Sequence, residues 1–452
     1  MTASTSVGVS HSDPKKNRNR YQLKDYLNRR VLVMLALGFS SGLPFLLVGN
    51  TFGYWLRDQG TTLAAIGFLS WVGLAYSLKF LWAPILDRVG APALARLGLR
   101  RGWMALAQVV VGLSLLAMAL SGTEHGLAQL GACALLVAFF SATQDIAIDA
   151  WRIESARDKD ELGLLTSGYT VGYRVALLLS ETVILPIAQH LGWSNAYILF
   201  ACMMVVGLTA TMLAPEPEQA DAVARAKREL KPLWTPSGLF DAIAGPFIQF
   251  FKANGAGAIV ILLAISLYQL GYFISGPMYN PMYVDVGVTK DMVAAMRGSL
   301  GLVGIFAGVA VGGWLPTRIG LTPALIIAGI CLGIGTALYA IVPFAHDPVT
   351  FGLIMLGDQF GIAMAGITLV AYMSSLTSLG YTATQYALLS SAYALAGKFL
   401  KGFSGAVVEG LTPHLGLMNA YSVFFVGCGL IGVPAMLLFW LLERRRTAVN
   451  PA

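Results

Sequence analysis

The chain has 452 residues, of which 56% are hydrophobic and only 12% are Asp, Glu, Lys or Arg. An ordinary soluble domain has roughly 25% charged residues, so this composition excludes a soluble enzyme or binding module and indicates a protein that crosses a membrane several times. The net charge of +7 follows from the basic residues that orient such a protein, and it requires no nucleic-acid partner.

Twelve apolar runs, each long enough to cross a bilayer, predict an all-α membrane protein. Basic residues are retained in cytoplasmic segments, and 23 of the 30 Lys and Arg residues fall on one side of a twelve-helix arrangement. We therefore expect both termini in the cytoplasm, with a basic tail at 1–30 and a short tail at 444–452. The predicted helices are 31–56, 62–84, 103–121, 127–151, 162–188, 193–213, 256–282, 291–315, 323–344, 350–374, 384–410 and 417–442.

The fourth predicted helix contains two carboxylates in FFSATQDIAIDAW (139–151). Asp145 and Asp149 are one turn apart on one helical face. A charge at bilayer depth costs at least about 2.5–3.5 kcal/mol, so each residue needs a partner or a proton. Asp149 is close to the cytoplasmic end, where water can solvate it, whereas Asp145 is deeper.

Further ionisable residues occur in later predicted helices. Arg174 lies about 20 Å into the fifth helix by helical rise, and Glu181 points the same way two turns later. Asp358 and Lys398 belong to the tenth and eleventh helices. Burial favours the protonated form of a carboxyl group and a nearby cation favours the charged form, so these residues could exchange protons. The alternative is a set of permanent ion pairs that hold the helices together.

The longest polar interruption, 214–253, divides the chain into 31–213 and 254–443. The two halves resemble each other, because LLTSGYTVGYR (164–174) aligns with LLSSAYALAGK (388–398) and APILDRVG (83–90) with GWLPTRIG (313–320). This duplication predicts two six-helix pseudo-repeats, typical of a carrier that rocks its halves about a midplane site. The five His residues lack HExxH spacing and no GxxxxGK[ST] motif occurs, so we expect no enzyme, cofactor or metal site.

The duplicated plan, together with APILDRVG and the basic pair that follows, resembles the major facilitator superfamily. The resemblance implies a gating cluster that latches the cytoplasmic side shut, and an orienting charge cluster is the alternative reading. Ala83 replaces the usual Gly of this motif, and Thr317 replaces the Asp in the second copy. The residues that match the cluster are Asp87, Arg88, Arg100 and Arg101.

A narrower resemblance covers both halves. FFSATQDIAIDAW, LKFLWAPILDR, RRGW, SGLP and TATQYALLS look like the AmpG family of muropeptide permeases. The resemblance implies proton symport of N-acetylglucosaminyl-anhydromuramyl peptides from periplasm to cytoplasm across the inner membrane, for peptidoglycan recycling and β-lactamase induction. The alternatives are import of another small molecule, such as a siderophore or short peptide, and a non-transporting sensor.

The expected partners are an anionic glycopeptide, protons and the bilayer, and we expect a monomer. YQLGYFI departs from the family, since Gln269 and Tyr272 replace its usual Lys and Asp. We expect proton coupling from Asp145, Asp149 and Glu181, and substrate contacts from Thr143, Gln144, Tyr173, Arg174, Gln269, Asp358 and Lys398.

Overall fold

A computed structural model describes residues 28–86, 89–122, 126–157, 159–215, 257–375 and 394–449. In this part of the chain all regular structure is helical, and ten helices are long and apolar enough to cross a membrane. These ten helices coincide with ten of the twelve predicted segments. The second predicted segment corresponds to an interrupted helix, and the eleventh corresponds to residues 394–415. Residues 1–27 of the predicted basic tail, Asp87, Arg88, residues 216–253 of the predicted linker, residues 254–256 and residues 376–393 lie outside the described part.

The helices are α1 (Arg29–Asp58), α2 (Leu63–Leu78), α3 (Leu99–Ser121), α4 (Leu127–Ser155), α5 (Leu164–Leu191), α6 (Trp193–Leu213), α7 (Gly257–Asp285), α8 (Lys290–Ile319), α9 (Leu321–Ile341), α10 (Pro348–Met373), α11 (394–415) and α12 (Leu417–Arg444).

Helix ends carry side-chain and glycine caps. Asn28 accepts a hydrogen bond from the Arg30 N–H at the start of α1, which satisfies a backbone donor that the helix leaves unpaired. Gly192 joins α5 to α6 at φ +83°, and Gly416 joins α11 to α12 at φ +77°, a conformation that favours glycine. The same number of residues separates these two glycines as separates 164–174 from 388–398, which supports an internal duplication.

Helices within each half pack closely through small residues. In the N-terminal half, α1 packs against α5, and a Cβ atom at Gly172 of α5 would overlap the carbonyl oxygen of Leu35. In the C-terminal half, α8 packs against α10, and a Cβ atom at Gly308 would overlap the carbonyl oxygen of Phe360. The glycines of GLVGIFAGVAVGG (301–313) thus permit close helix approach, as the sequence predicts.

Several helices are interrupted within their length. α1 is broken between Leu47 and Asn50, just after Pro44 of the SSGLP motif, and α7 is broken at Gln269. α5 and α8 each contain a π-helical turn, at Leu179–Val183 and Arg297–Gly301 respectively. π-turns are rare and are frequent at functional sites, so these turns direct attention to the side chains that they carry.

Substitution of Gly172 by Ala should destabilise the fold. The added methyl group meets the α1 backbone, and overpacking of this kind typically costs about 1–3 kcal/mol. The measurement is the thermal unfolding midpoint of the purified protein in detergent. Gly276→Ala is the matched control, because no atom lies within 4 Å of a Cβ atom at that position. Equal midpoints for the two variants would contradict the close contact between α1 and α5.

Candidate functional site

Asp145 of α4 lies in a hydroxyl network where α1, α4 and α5 meet. Ser41 of α1 donates a short hydrogen bond to the Asp145 carboxylate, and the Ser41 and Tyr169 hydroxyl oxygens are 2.8 Å apart. Because the Ser41 proton is directed to Asp145, the Tyr169 hydroxyl donates to Ser41. Ser41 directly, and Tyr169 through Ser41, therefore stabilise this carboxylate from two other helices.

The two residues before Asp145 are buried and bind neighbouring helices. Ser40 Oγ donates to Gln144 Oε1 at 3.4 Å, and Gln144 Nε2 has no hydrogen-bond partner among the described residues. Thr143 Oγ1 accepts a hydrogen bond from Trp82 Nε1 at 3.1 Å and donates to the Phe139 carbonyl at 2.8 Å. In this conformation Thr143 thus holds the end of the α2 segment against α4, and Gln144 retains an unused donor.

Asp149 has a different environment from Asp145. Its side chain is 38% exposed and pairs with Arg152 at 2.9 Å and with Lys79 at 4.0 Å. The Arg152 guanidinium lies 5.1 Å from the centroid of the Tyr169 ring, and the Tyr169 hydroxyl contacts Ser41 in turn. The two carboxylates are therefore connected through one tyrosine, and Asp149 is solvated, as the sequence predicts.

Arg174 and Tyr173 lie further along α5. Arg174 is exposed on the same face as Val171 and Val175, and no ion pair joins it to a described residue. The Tyr173 ring centroid is 5.9 Å from that of Tyr169. The cations next to the N-terminal carboxylates are thus Lys79 and Arg152, whereas Arg174 points elsewhere.

Glu181 is part of a contact between the two halves. Arg297 Nη1 lies 3.7 Å from Glu181 Oε1 and donates to the Glu181 carbonyl at 3.1 Å. Arg297 Nη2 donates to Asn280 Oδ1 at 2.6 Å. Glu181 and Arg297 belong to the π-turns of α5 and α8, so both distorted turns meet at one ion pair.

Three further ion pairs join the halves at the same end of the bundle, which we call the closed end. Asp285 receives two hydrogen bonds from Arg57, at 2.7 and 2.8 Å, a bidentate geometry that strengthens and orients the pair. The second pair is Lys290 with Asp58 at 2.9 Å, and the third contact, His190 with Asp291 at 3.0 Å, is an ion pair only when the imidazole is protonated.

The opposite end has ion pairs within the N-terminal half. Arg100, 1% exposed, makes two hydrogen bonds from α3 to Glu154 of α4, at 2.6 and 2.9 Å. Arg101 donates to the carbonyls of Thr211 and Met212 on α6. Two of the four residues of the predicted gating cluster therefore join α3 to its neighbours in this conformation.

The predicted C-terminal residues lie in three separate places. Asp358 of α10 is 1% exposed, and its Oδ1 atom has no hydrogen-bond partner among the described residues. Gln269 is 9% exposed at the break in α7. Lys398 Nζ of α11 donates to Ser77 Oγ of α2 at 2.7 Å, which makes it the one predicted C-terminal substrate contact that reaches across to the other half.

Sequence reasoning missed Ser41, Tyr169, Glu154 and Arg297. The SSGLP motif indicates a break in the first helix, but it does not indicate that its serine binds a carboxylate of α4. The position of Arg297 near an outer end of its predicted helix indicates a residue at the membrane interface, but Arg297 lies between the halves with 14% of its side chain exposed. Tyr169 does lie in the GYTVGYR motif, and the repetition of this motif in the second half of the chain is a feature of the sequence that could have pointed to Tyr169.

Comparison with known proteins agrees with this architecture. The family model of the Major Facilitator Superfamily matches residues 32–400. The chain belongs to this superfamily, and to the AmpG family within it. It is 32% identical over 428 residues to the anhydromuropeptide permease of Escherichia coli K12, covering 94% of this chain and 82% of that protein. It is 29% identical to the protein named AmpG 4 of Rickettsia conorii, covering 93% and 98%.

Solved structures of the superfamily share the fold. A bacterial homologue of the human lysosomal transporter Spinster, in an inward-facing and unoccupied conformation, superposes with a TM-score of 0.68 at 16% identity, over 92% of this chain and 97% of the other. This AmpG-family chain is therefore a multi-pass membrane transporter for a small molecule and not an enzyme.

Substitution of Arg297 by Gln in this transporter should loosen the closed end. It removes charge-assisted hydrogen bonds, which contribute about 1.5–3 kcal/mol each, so the open population should rise roughly tenfold or more. The reporter is a cysteine at Gly53, a buried position between α2 and α7, in a chain whose four native cysteines are serine. The measurement is its rate of maleimide labelling.

The control for the labelling experiment is Arg318→Gln, since Arg318 is an exposed cation at the far end of α8. Labelling that is unchanged by Arg297→Gln would show that the ion pair with Glu181 does not hold the halves together.

Proposed function

We propose that this transporter imports anhydromuropeptides from the periplasm to the cytoplasm by proton symport, as a monomer in the bacterial inner membrane. The name of the Escherichia coli relative supports the substrate class. The observation that carries proton coupling is the Asp145, Ser41 and Tyr169 network, because it places a carboxyl group among hydroxyl groups where α1, α4 and α5 meet. The imported products would serve peptidoglycan recycling and β-lactamase induction.

The proposed topology places both termini in the cytoplasm, with six-helix halves at 31–213 and 254–443 joined by the linker 214–253. The closed end then faces the periplasm. The hydrogen bonds and ion pairs between described residues of the two halves are concentrated at that end and along α2, whereas Arg100 and Arg101 bind within one half. The structure then corresponds to a state that is closed to the periplasm.

Proton transfer at Asp145 would reverse a hydroxyl chain. When Asp145 is charged, Ser41 donates to it and Tyr169 donates to Ser41. When Asp145 takes up a proton, its own O–H can donate to Ser41, and Ser41 can then donate to Tyr169. Tyr169 also contacts Arg152, the partner of Asp149, so the change reaches Asp149 at the more solvated end of α4.

Glu181 is proposed to act at a different stage. Opening of the closed end requires separation of Glu181 from Arg297, because α5 and α8 belong to different halves. A carboxylate released from its cation in a membrane interior binds a proton more readily. Glu181 would therefore exchange its cation for a proton only when the periplasmic side opens.

Substrate contacts are proposed for both halves. A muropeptide presents sugar hydroxyls, amides and several carboxylates, so it requires hydrogen-bonding groups together with cations. Arg174 and Lys398 supply cations. The other proposed contacts supply hydrogen-bonding groups, and one of them, Asp358, is an acceptor that is buried in this conformation. They are Thr143, Gln144, Tyr173, Gln269 and Asp358.

Uptake by proteoliposomes tests this function directly. Purified protein is reconstituted, and accumulation of radiolabelled N-acetylglucosaminyl-anhydromuramyl tripeptide is measured with an inward proton gradient and after a protonophore. Accumulation that requires the gradient supports the proposal. Absence of uptake by demonstrably folded protein would reject it in favour of a siderophore or short-peptide importer.

Substitution of Asp145 by Asn should abolish accumulation driven by the proton gradient, because an amide cannot exchange a proton at pH 5–8. Exchange of labelled for unlabelled substrate should persist at ten per cent of the wild-type rate or more, since substrate binding remains. Asp347→Asn is the control, because Asp347 is an exposed residue that caps α10. Full gradient-driven uptake by Asp145→Asn at normal expression would reject Asp145 as the proton carrier.

A further inference from the structure

Two lysines lie close together in the half of α11 that is away from the closed end. Lys401 is about 21 Å along the helix from its closed-end terminus at Leu415, and Lys398 is one turn further. In a hydrocarbon layer of about 30 Å they are then about 9 Å and about 5 Å from the opposite surface. A lysine at such a level can extend its side chain to water if it points outward, and it requires an internal partner if it points into the protein.

Both lysines face away from lipid. Phe399 and Phe403 are 50% and 39% exposed, and both pack against the Trp71 ring of α2, so they lie at the exposed edge of the contact between α11 and α2. Lys398 and Lys401 are three residues apart and therefore share a different side of the helix. Gly397, on the same side, packs against Phe273 of α7. The ammonium groups thus lie in the interior, between α2 and α7.

Neither ammonium group is neutralised within the described part of the chain. Lys398 Nζ donates to Ser77 Oγ at 2.7 Å, and Lys401 Nζ lies 3.3 Å from the position of a Cβ atom at Gly73. Gly73 and Ser77 are one turn apart on α2, so the two lysines follow one side of that helix. No described carboxylate lies within 4.0 Å of either group, and a serine hydroxyl carries no charge.

A third lysine increases the excess of positive charge near Lys398 and Lys401. Lys79, which follows the end of α2 two residues after Ser77, adds a further positive charge on this side of the contact. Lys79 has one carboxylate nearby, Asp149 at 4.0 Å, which Arg152 already binds at 2.9 Å. Three lysines therefore share less than one counter-charge at the seam between the halves.

We propose that Lys398 and Lys401 form an anion site that binds a carboxylate from the peptide part of the transported glycopeptide, with Lys79 adding attraction from the N-terminal half. This inference rests on the proposed function, and it places one end of the substrate at the contact between α2 and α11. Because α2 and α11 belong to different halves, a carboxylate bound there contacts the surface along which the halves move. The bound anion would thereby reduce the repulsion that now opposes their approach.

Binding in detergent tests the site without requiring transport. The dissociation constant is measured by calorimetry for N-acetylglucosaminyl-anhydromuramyl tripeptide and for the same compound with its carboxylates converted to methyl esters. Lys401→Gln should weaken binding of the carboxylate form at least tenfold and leave binding of the ester form within twofold. Lys401→Arg should retain the wild-type preference, because it keeps the charge. Arg318→Gln is the control for a distant cation.

The outcomes separate the site from the function. A wild-type protein that binds neither compound overturns the proposed function and this inference with it. A wild-type protein that binds both forms equally, or a Lys401→Gln variant that loses both equally, overturns the anion site alone. A lipid phosphate is the other source of an anion. Thermal stabilisation by phosphatidylglycerol that Lys401→Gln abolishes, with glycopeptide binding unchanged, would also overturn the site.

Discussion

A charged side chain within the hydrocarbon layer requires an opposite charge, several hydrogen bonds or a proton. The chain meets this requirement in different ways at different depths. Asp145 has the hydroxyl groups of Ser41 and Tyr169, and Arg297 has Glu181 and Asn280. Lys398 and Lys401 have only a serine from α2. The degree of neutralisation thus separates groups that are satisfied by the protein from the two lysines of the proposed anion site.

Whether an ion pair lies within one half or joins the two halves decides whether it must break when the halves move. Arg100 and Glu154 join helices of the same half, so their contact can persist while the halves move. Glu181 and Arg297 join different halves and must separate when the closed end opens. The distinction follows from rigid-body motion of packed helices, which repacks interfaces while cores stay intact. Helices that meet through glycine, such as α1 and α5, are suited to move as one body.

Hydropathy predicted the helices well, because the length and apolar character of a span are local properties. All ten long spans coincide with predicted segments, and Asp145 was identified as a functional candidate from the cost of its charge alone. The predicted opposition of Arg174 to an N-terminal acid does not occur in this conformation. Arg297 was placed at the membrane interface because depth along a helix does not indicate which neighbours surround it.

The sequence by itself determined the membrane-spanning class and the ten long spans of the described residues, since these depend on composition and on rise per residue. Tertiary structure decided the partners. Ser41 and Asp145 are 104 residues apart in the chain, and Arg297 and Glu181 are 116 apart. Such pairs form only when two helices adopt a particular rotation and vertical offset, and both are set by packing against all neighbouring helices at once.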